Sequence, residues 1–258
     1  MNPFKQAIAE RRTQLGLWQA LANPYTAEIC AGAGYDWLLF DGEHAPNTVP
    51  SLLAQLQAVA AYPLEPVARL PLCDPAIIKQ YMDIGFRTLM MPMVDSADQA
   101  RLAVSAMRFP PQGVRGVASA TSRASGFGRH RDYLTSAHED HCLIVQIESR
   151  AGLAAIEAIA AVDGVDAIFI GPGDLSASLG HLGAPRHPAV QAAIADALTG
   201  IRATGKAAGI FALDAEDAAA RLSEGASFVS IGTDVSLLSR GSEALREAVL
   251  ISIGKDRK

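Results

Sequence analysis

The chain has 258 residues, half of them hydrophobic, and a formal net charge of −5, enough apolar material for one large core in a single domain spanning 1–258. No Lys/Arg block marks a nucleic-acid groove, so a small-molecule ligand is expected and a nucleic acid is not. The opening residues mix Lys5, Glu10, Arg11 and Arg12 with apolar ones, which reads as neither signal peptide nor membrane anchor and predicts a cytoplasmic protein.

One unit recurs along the chain: an amphipathic segment, a glycine where a helix would end, then a short apolar run, as in "AGAGYDWLLF", "MDIGFRTLMMP" and "VDGVDAIFIG". In order, the apolar runs are "LGLWQA", "WLLFD", "PVARL", "TLMMP", "LIVQIE", "AIFIG", "AGIFA" and "FVSIG". Runs without polar alternation suit strands covered on both faces. Asn23, Asp74, Ser96 and Asp214 stand where N-caps would open the intervening helices. Eight alternating β and α units in about 250 residues predict a (β/α)₈ barrel. The rival open sheet would need a Gly-rich fingerprint after its first strand, where "WQALANP" stands instead.

Barrel chemistry sits at the C-terminal strand ends. Those ends carry Trp18 and Gln19; Asp41, Glu43 and His44; Arg69; Met91 to Met93; Gln146 and Glu148; Gly171 to Asp174; Phe211; and Gly232 to Asp234. Glu148 and Asp174 lie on neighbouring strand ends, about 4.8 Å apart in a sheet, so both reach one ion. Oxygen ligands without a nearby Cys predict Mg²⁺, Mn²⁺ or Co²⁺, while a helix cap and a surface salt bridge are their bland alternatives. "GPGDLSASLG" leaves backbone N–H groups free for an anion beside the metal. His44 is the expected base, its ring held by Asp41. Arg69 suits a developing oxyanion, or else a buried ion pair with Asp41 or Glu43. Lys5, Lys79, Lys206, Lys255 and Lys258 all miss the strand ends, which removes Schiff-base chemistry. A long stretch from Arg108 to Arg131, with five Arg and no acid, reads as a loop that covers the site, meets an anionic substrate or another subunit, or is merely solvated.

The strings "GLWQAL", "AGAGYDWLLFDGEHAPN", "AIIKQYMDIG", "RFPPQGVRGV", "VQIESR" and "FIGPGDLSASLG" together resemble the HpcH/HpaI class II pyruvate aldolases of the 4-hydroxy-2-oxoheptanedioate type, over roughly Gln14 to Ala248. The resemblance implies a barrel whose last helix is exchanged between paired subunits of a homohexamer, a trimer of dimers. It also implies divalent-metal-dependent, reversible cleavage of a 4-hydroxy-2-oxo acid to pyruvate and an aldehyde. In this sequence Glu148 and Asp174 match the metal ligands, His44 with Asp41 the base, and Arg69 the group that steadies the enolate. Gln146 matches a pocket residue near the metal, and Gly173 and Asp174 the amides that hold the pyruvate carboxylate. Asp83 matches an acid that serves a neighbour's site. Trp18 and Phe211 are expected to line the substrate pocket. Gly173 and Phe211 depart from the family's Ala and aliphatic residue, which opens the donor to hydroxypyruvate. A CoA-ester lyase of the malyl/citryl-CoA type, and a barrel that binds a metal-carboxylate ligand without turnover, are the alternatives.

Overall fold

The computed structural model describes residues 1–254; Lys255 and Lys258 of the lysine inventory lie outside the described residues. Strands β1 (Gln14–Gln19), β2 (Trp37–Asp41), β3 (Glu65–Arg69), β4 (Thr88–Met91), β5 (Cys142–Ile147), β6 (Ala167–Ile170), β7 (Ala207–Phe211) and β8 (Phe228–Thr233) close into one all-parallel barrel in sequence order. β8 pairs back onto β1. Each apolar run of the sequence falls on one of these strands, displaced by no more than a residue at either end.

Helices α1 (Pro3–Ala9), α2 (Pro24–Ala31), α3 (Val49–Ala58), α4 (Pro75–Asp83), α5 (Ala97–Met107) and α6 (Tyr133–Asp140) belong to the first half. The second half holds α7 (Arg150–Ala154), α8 (Ile156–Ala160), α9 (Pro172–Ser178), α10 (Pro188–Ala203), α11 (Ala215–Ser223) and α12 (Asp234–Ser252). The expected caps are in place: Asn23 accepts from the Tyr25 amide, Asp74 from Ala76 and Ile77, Ser96 from Gln99 and Asp214 from Asp217. Among the described residues no helix is long and apolar enough to cross a membrane.

Side chains alternate across a strand, and that parity builds both cores. Leu38, Phe40, Ala68, Leu89, Val145, Ile168, Ile170, Ile210 and Val229 face the helices. Trp37, Leu39, Val67, Met90, Ile144, Phe169 and Phe228 face inward and fill the barrel. Two glycines make room for its rings: a Cβ at Gly16 would overlap Trp37, and one at Gly209 would overlap Phe228. Gly16→Ala should therefore destabilise the fold by about 1–3 kcal/mol, the usual overpacking range, read as a lower denaturation midpoint. The bottom of the barrel is closed by α1, whose Phe4 packs edge-on against Phe228 at 5.9 Å and stands 6.0 Å from Trp37. That helix was not expected from the sequence.

The basic stretch from Arg108 to Arg131 packs against α4. Ser122 Oγ donates to the Asp83 carbonyl (3.1 Å), and Arg123 Nη1 to that of Ile84 (3.0 Å). Arg115 is fully buried against the Phe109 ring (4.6 Å) and pairs with Asp83 at 2.7 Å. The stretch clothes the flank of the barrel and contributes no residue to the cavity at the C-terminal strand ends. In contrast, α12 buries only Asp234 and presents Leu237, Leu238, Leu245, Val249 and Ile251 outward.

Candidate active site

The inward parity that fills the barrel continues for one more step at the C-terminal ends. There it delivers Trp18, Asp41, Arg69, Gln146, Glu148, Gly171 and Phe211 in place of Leu39, Val67, Ile144 and Phe169. These residues line a cavity of about 390 Å³ with His44, Phe169, Gly173, Asp174, Pro185, Leu213 and Thr233. A larger cavity, about 650 Å³, lies at the opposite end beside Phe4, Arg12 and Arg87, away from the polar ring.

Asp41 and Arg69 are direct partners across the β2–β3 register. Arg69 Nε donates to Asp41 Oδ1 (3.0 Å) and Nη2 to Oδ2 (2.6 Å), while Nη1 is 2.8 Å from Glu43 Oε2. Trp18 Nε1 donates to Asp41 Oδ2 (3.1 Å), and its ring lies 5.0 Å from the guanidinium carbon. The ion pair posed as the alternative reading of Arg69 is therefore present, with both acids. Burial pushes the Asp41 carboxyl up, but Arg69 and the Glu43 and His44 amides outweigh it and hold its pKa below the ordinary value.

The expected contact between Asp41 and the His44 ring is not formed. Asp41 Oδ1 accepts from the His44 backbone amide (3.2 Å), and the imidazole Nε2 instead stands 3.9 Å from Glu43 Oε2. The reason is geometric: the guanidinium fork captures both Asp41 oxygens from the next strand, the Glu43 and His44 amides of the turn after β2 add to Oδ1, and the Trp18 indole takes Oδ2.

Glu148 is buried beneath the mouth. Its Oε1 accepts from the Met93 amide (3.0 Å) and its Oε2 from Gln146 Nε2 (2.7 Å). Burial, followed by the charges of Asp174 and Glu43, raises its pKa to about 7 against the pull of the Met93 amide and Arg69. Arg69 is already engaged by the other two acids. Four carboxyls thus crowd one guanidinium, and an anionic substrate would add to the imbalance, so the donor set fits a hard cation. Among the described residues no three His, Cys, Asp or Glu side chains are grouped so as to hold a metal ion. Gly173 and Asp174 open α9, which no side chain caps, so their amides face the mouth without an intrahelical partner.

The metal-free protein should show the cost of that carboxylate. A group whose folded pKa lies above its unfolded one stabilises most below the unfolded value and loses that contribution as pH rises. The contribution of Glu148 to stability should therefore fall by up to about 3 kcal/mol between about pH 4.5 and pH 7. Denaturant titrations of chelated parent and Glu148→Gln across that window test it: the parent's advantage over the variant should shrink as pH rises, and a difference independent of pH would detach the slope from this side chain.

All the expected site residues meet at this cavity except Asp83, which ends α4 and pairs with Arg115. Of the described lysines, Lys206 donates to the Val165 carbonyl before β6 and Lys5 to that of His141 before β5, both at the end away from the mouth. Phe169 was legible as an inward residue two before Gly171. Pro185 and Leu213 reach the cavity from loops and carry no periodic signal.

The HpcH/HpaI aldolase/citrate lyase family model matches residues 14–241. A hydroxypyruvate/pyruvate aldolase of Deinococcus radiodurans is 59% identical over 244 residues, covering 95% of this chain and 88% of that one. A 4-hydroxy-2-oxo-heptane-1,7-dioate aldolase of Klebsiella pneumoniae is 54% identical over 244 residues, covering 95% and 92%. The crystal structure of an HpcH/HpaI aldolase/citrate lyase family protein from Burkholderia cenocepacia superimposes with a TM-score of 0.93 at 44% identity, over 96% of this chain and 99% of the other. With the motifs, the barrel and these relatives in agreement, the chain belongs to the HpcH/HpaI aldolase/citrate lyase family, enzymes that break and form carbon–carbon bonds.

Proposed function

We propose that this chain is a class II aldolase that cleaves 4-hydroxy-2-oxo acids reversibly into pyruvate or hydroxypyruvate and an aldehyde. The observation that carries the reading is buried Glu148, which shares the cavity with Asp174 and feels its charge, while among the described residues neither carboxylate forms a salt bridge. Glu148 and Asp174 would hold Mg²⁺, Mn²⁺ or Co²⁺. When bound there, the ion supplies Lewis acidity to the keto acid. The Gly173 and Asp174 amides take the substrate carboxylate, and Gln146 lines the pocket beside it. In cleavage His44 removes the C4 hydroxyl proton, the C3–C4 bond breaks with its electron pair passing into the enolate, and the aldehyde departs. The protonated imidazole then returns the proton to C3. Arg69 keeps N–H bonds free on both Nη atoms, enough to meet a developing oxyanion while Asp41 and Glu43 hold its orientation.

Trp18, Phe169 and Phe211 give the cavity apolar walls, with Trp18 and Phe211 edge to face at 5.4 Å. Those walls and the volume of about 390 Å³ favour a small aldehyde over a CoA ester. A homohexamer that exchanges α12 between subunits would cover that helix's apolar side chains, and Asp83 would then serve a neighbour's site.

Deuterium uptake into the pyruvate methyl group in heavy water tests the chemistry whatever the acceptor. Exchange should stop on chelation and return with Mg²⁺, Mn²⁺ or Co²⁺. Exchange that continues at full rate after exhaustive chelation would sink the metal-dependent reading, and binding without exchange would favour a non-catalytic barrel.

A further inference from the structure

Met93, two residues past β4, has φ of 52°, the left-handed region that an ordinary side chain enters only when its surroundings demand it. Its side chain is half exposed, so packing does not account for the conformation. The backbone contacts do. The Met93 amide donates to Glu148 Oε1 at 3.0 Å, and the next amide, Val94, donates to the Gln146 carbonyl at 3.1 Å. The left-handed turn thereby fastens the end of β4 to the C-terminal end of β5, at the Gln146 backbone and at the Glu148 side chain. On the far side stands Gly171, whose φ of −98° any residue could adopt. A Cβ there would overlap Glu148 Oε2 and lie 2.7 Å from Gln146 Nε2.

We propose that Met93, through its backbone, and Gly171, through the absence of a side chain, are positioning residues that set the carboxylate of Glu148 for a divalent cation. The inference rests on Glu148 being a metal ligand. Met93 holds one oxygen by its amide, Gln146 holds the other, and Gly171 leaves the space in which that second oxygen lies. Outer groups that orient a ligand in this way commonly matter about 10- to 100-fold in metal affinity.

The test is Mn²⁺ binding to the full chain, followed by loss of the free-ion EPR signal, with circular dichroism to confirm folding. Met93→Gly keeps the amide and adopts the left-handed turn without strain, so it should bind Mn²⁺ as tightly as the parent and be more resistant to denaturant. Met93→Ala should also retain affinity. Met93→Val, β-branched and poorly suited to positive φ, should weaken binding about 10- to 100-fold. Gly171→Ala should weaken it over the same range through the other oxygen, and it keeps the question answerable if Met93→Val fails to fold. Parent-like affinity in folded Met93→Val or in Gly171→Ala would overturn the corresponding assignment. An equal loss in Met93→Gly, →Ala and →Val would assign the effect to the thioether and overturn the backbone role. Glu148→Ala separates the two levels: if it still binds Mn²⁺ normally, the metal-ligand reading fails, and if it does not, only the positioning claim is at stake.

Discussion

Arg69→Ala should destabilise the fold by about 3–5 kcal/mol, because it strands the carboxylate of Asp41, only 2% exposed, without its cation. Glu43 loses the same partner, and the Trp18 ring loses the guanidinium beside it. The loss has a pH signature. A carboxylate with a depressed folded pKa contributes stability above its unfolded value and loses that contribution as pH falls. The gap between parent and variant should therefore be widest near neutrality and narrow as the medium becomes acid. Arg69→Lys should recover little, since a single ammonium cannot span both oxygens of Asp41 and reach Glu43. Where enough folded variant remains for assay, turnover should fall by about 10²- to 10³-fold, the range for removing a donor to a developing oxyanion. Urea titrations at several pH values measure the first effect. A pH-independent difference would mean that Asp41 finds another partner.

His44→Ala is expected to behave in the opposite way: intact fold, poor chemistry. The side chain is 66% exposed, with its Nε2 3.9 Å from Glu43 Oε2, so its removal leaves no hole in the core. Proton transfer should slow by about 10²- to 10⁴-fold in the deuterium assay while Mn²⁺ affinity stays unchanged. Parent-like exchange in that variant would remove His44 from the base role. Glu43→Gln adds resolution, since the structure puts Glu43, and not Asp41, beside the ring.

Much of this was legible because a barrel strand obeys one rule along its length. The residues that fill the interior are two apart, so Leu39 leads to Asp41, Val67 to Arg69 and Ile144 to Gln146 and then Glu148. Polar residues arriving on the inward parity at the strand end are already a site. The partner of Asp41 was harder to read, because proximity in sequence suggested His44 while the β2–β3 register placed Arg69 opposite. Helix α1 was missed although Asn2 before Pro3 is a plausible cap, since its buried Phe4, Ala7 and Ile8 are too few for a firm helical period. The segment after Arg108 is held in part by Arg115 pairing with Asp83, across 32 positions, which no local pattern announces.

Phe4 and Ile8 of α1 stopper one end of the barrel, and the rings of Trp37, Phe169 and Phe228 plug its axis. Reactants and products consequently share a single doorway, with Glu148 and Gln146 deep in it and Pro185, Phe211 and Leu213 nearer its rim. For the reaction proposed above, a blind passage predicts ordered traffic: the keto acid should enter first and leave last, with the aldehyde coming and going above it.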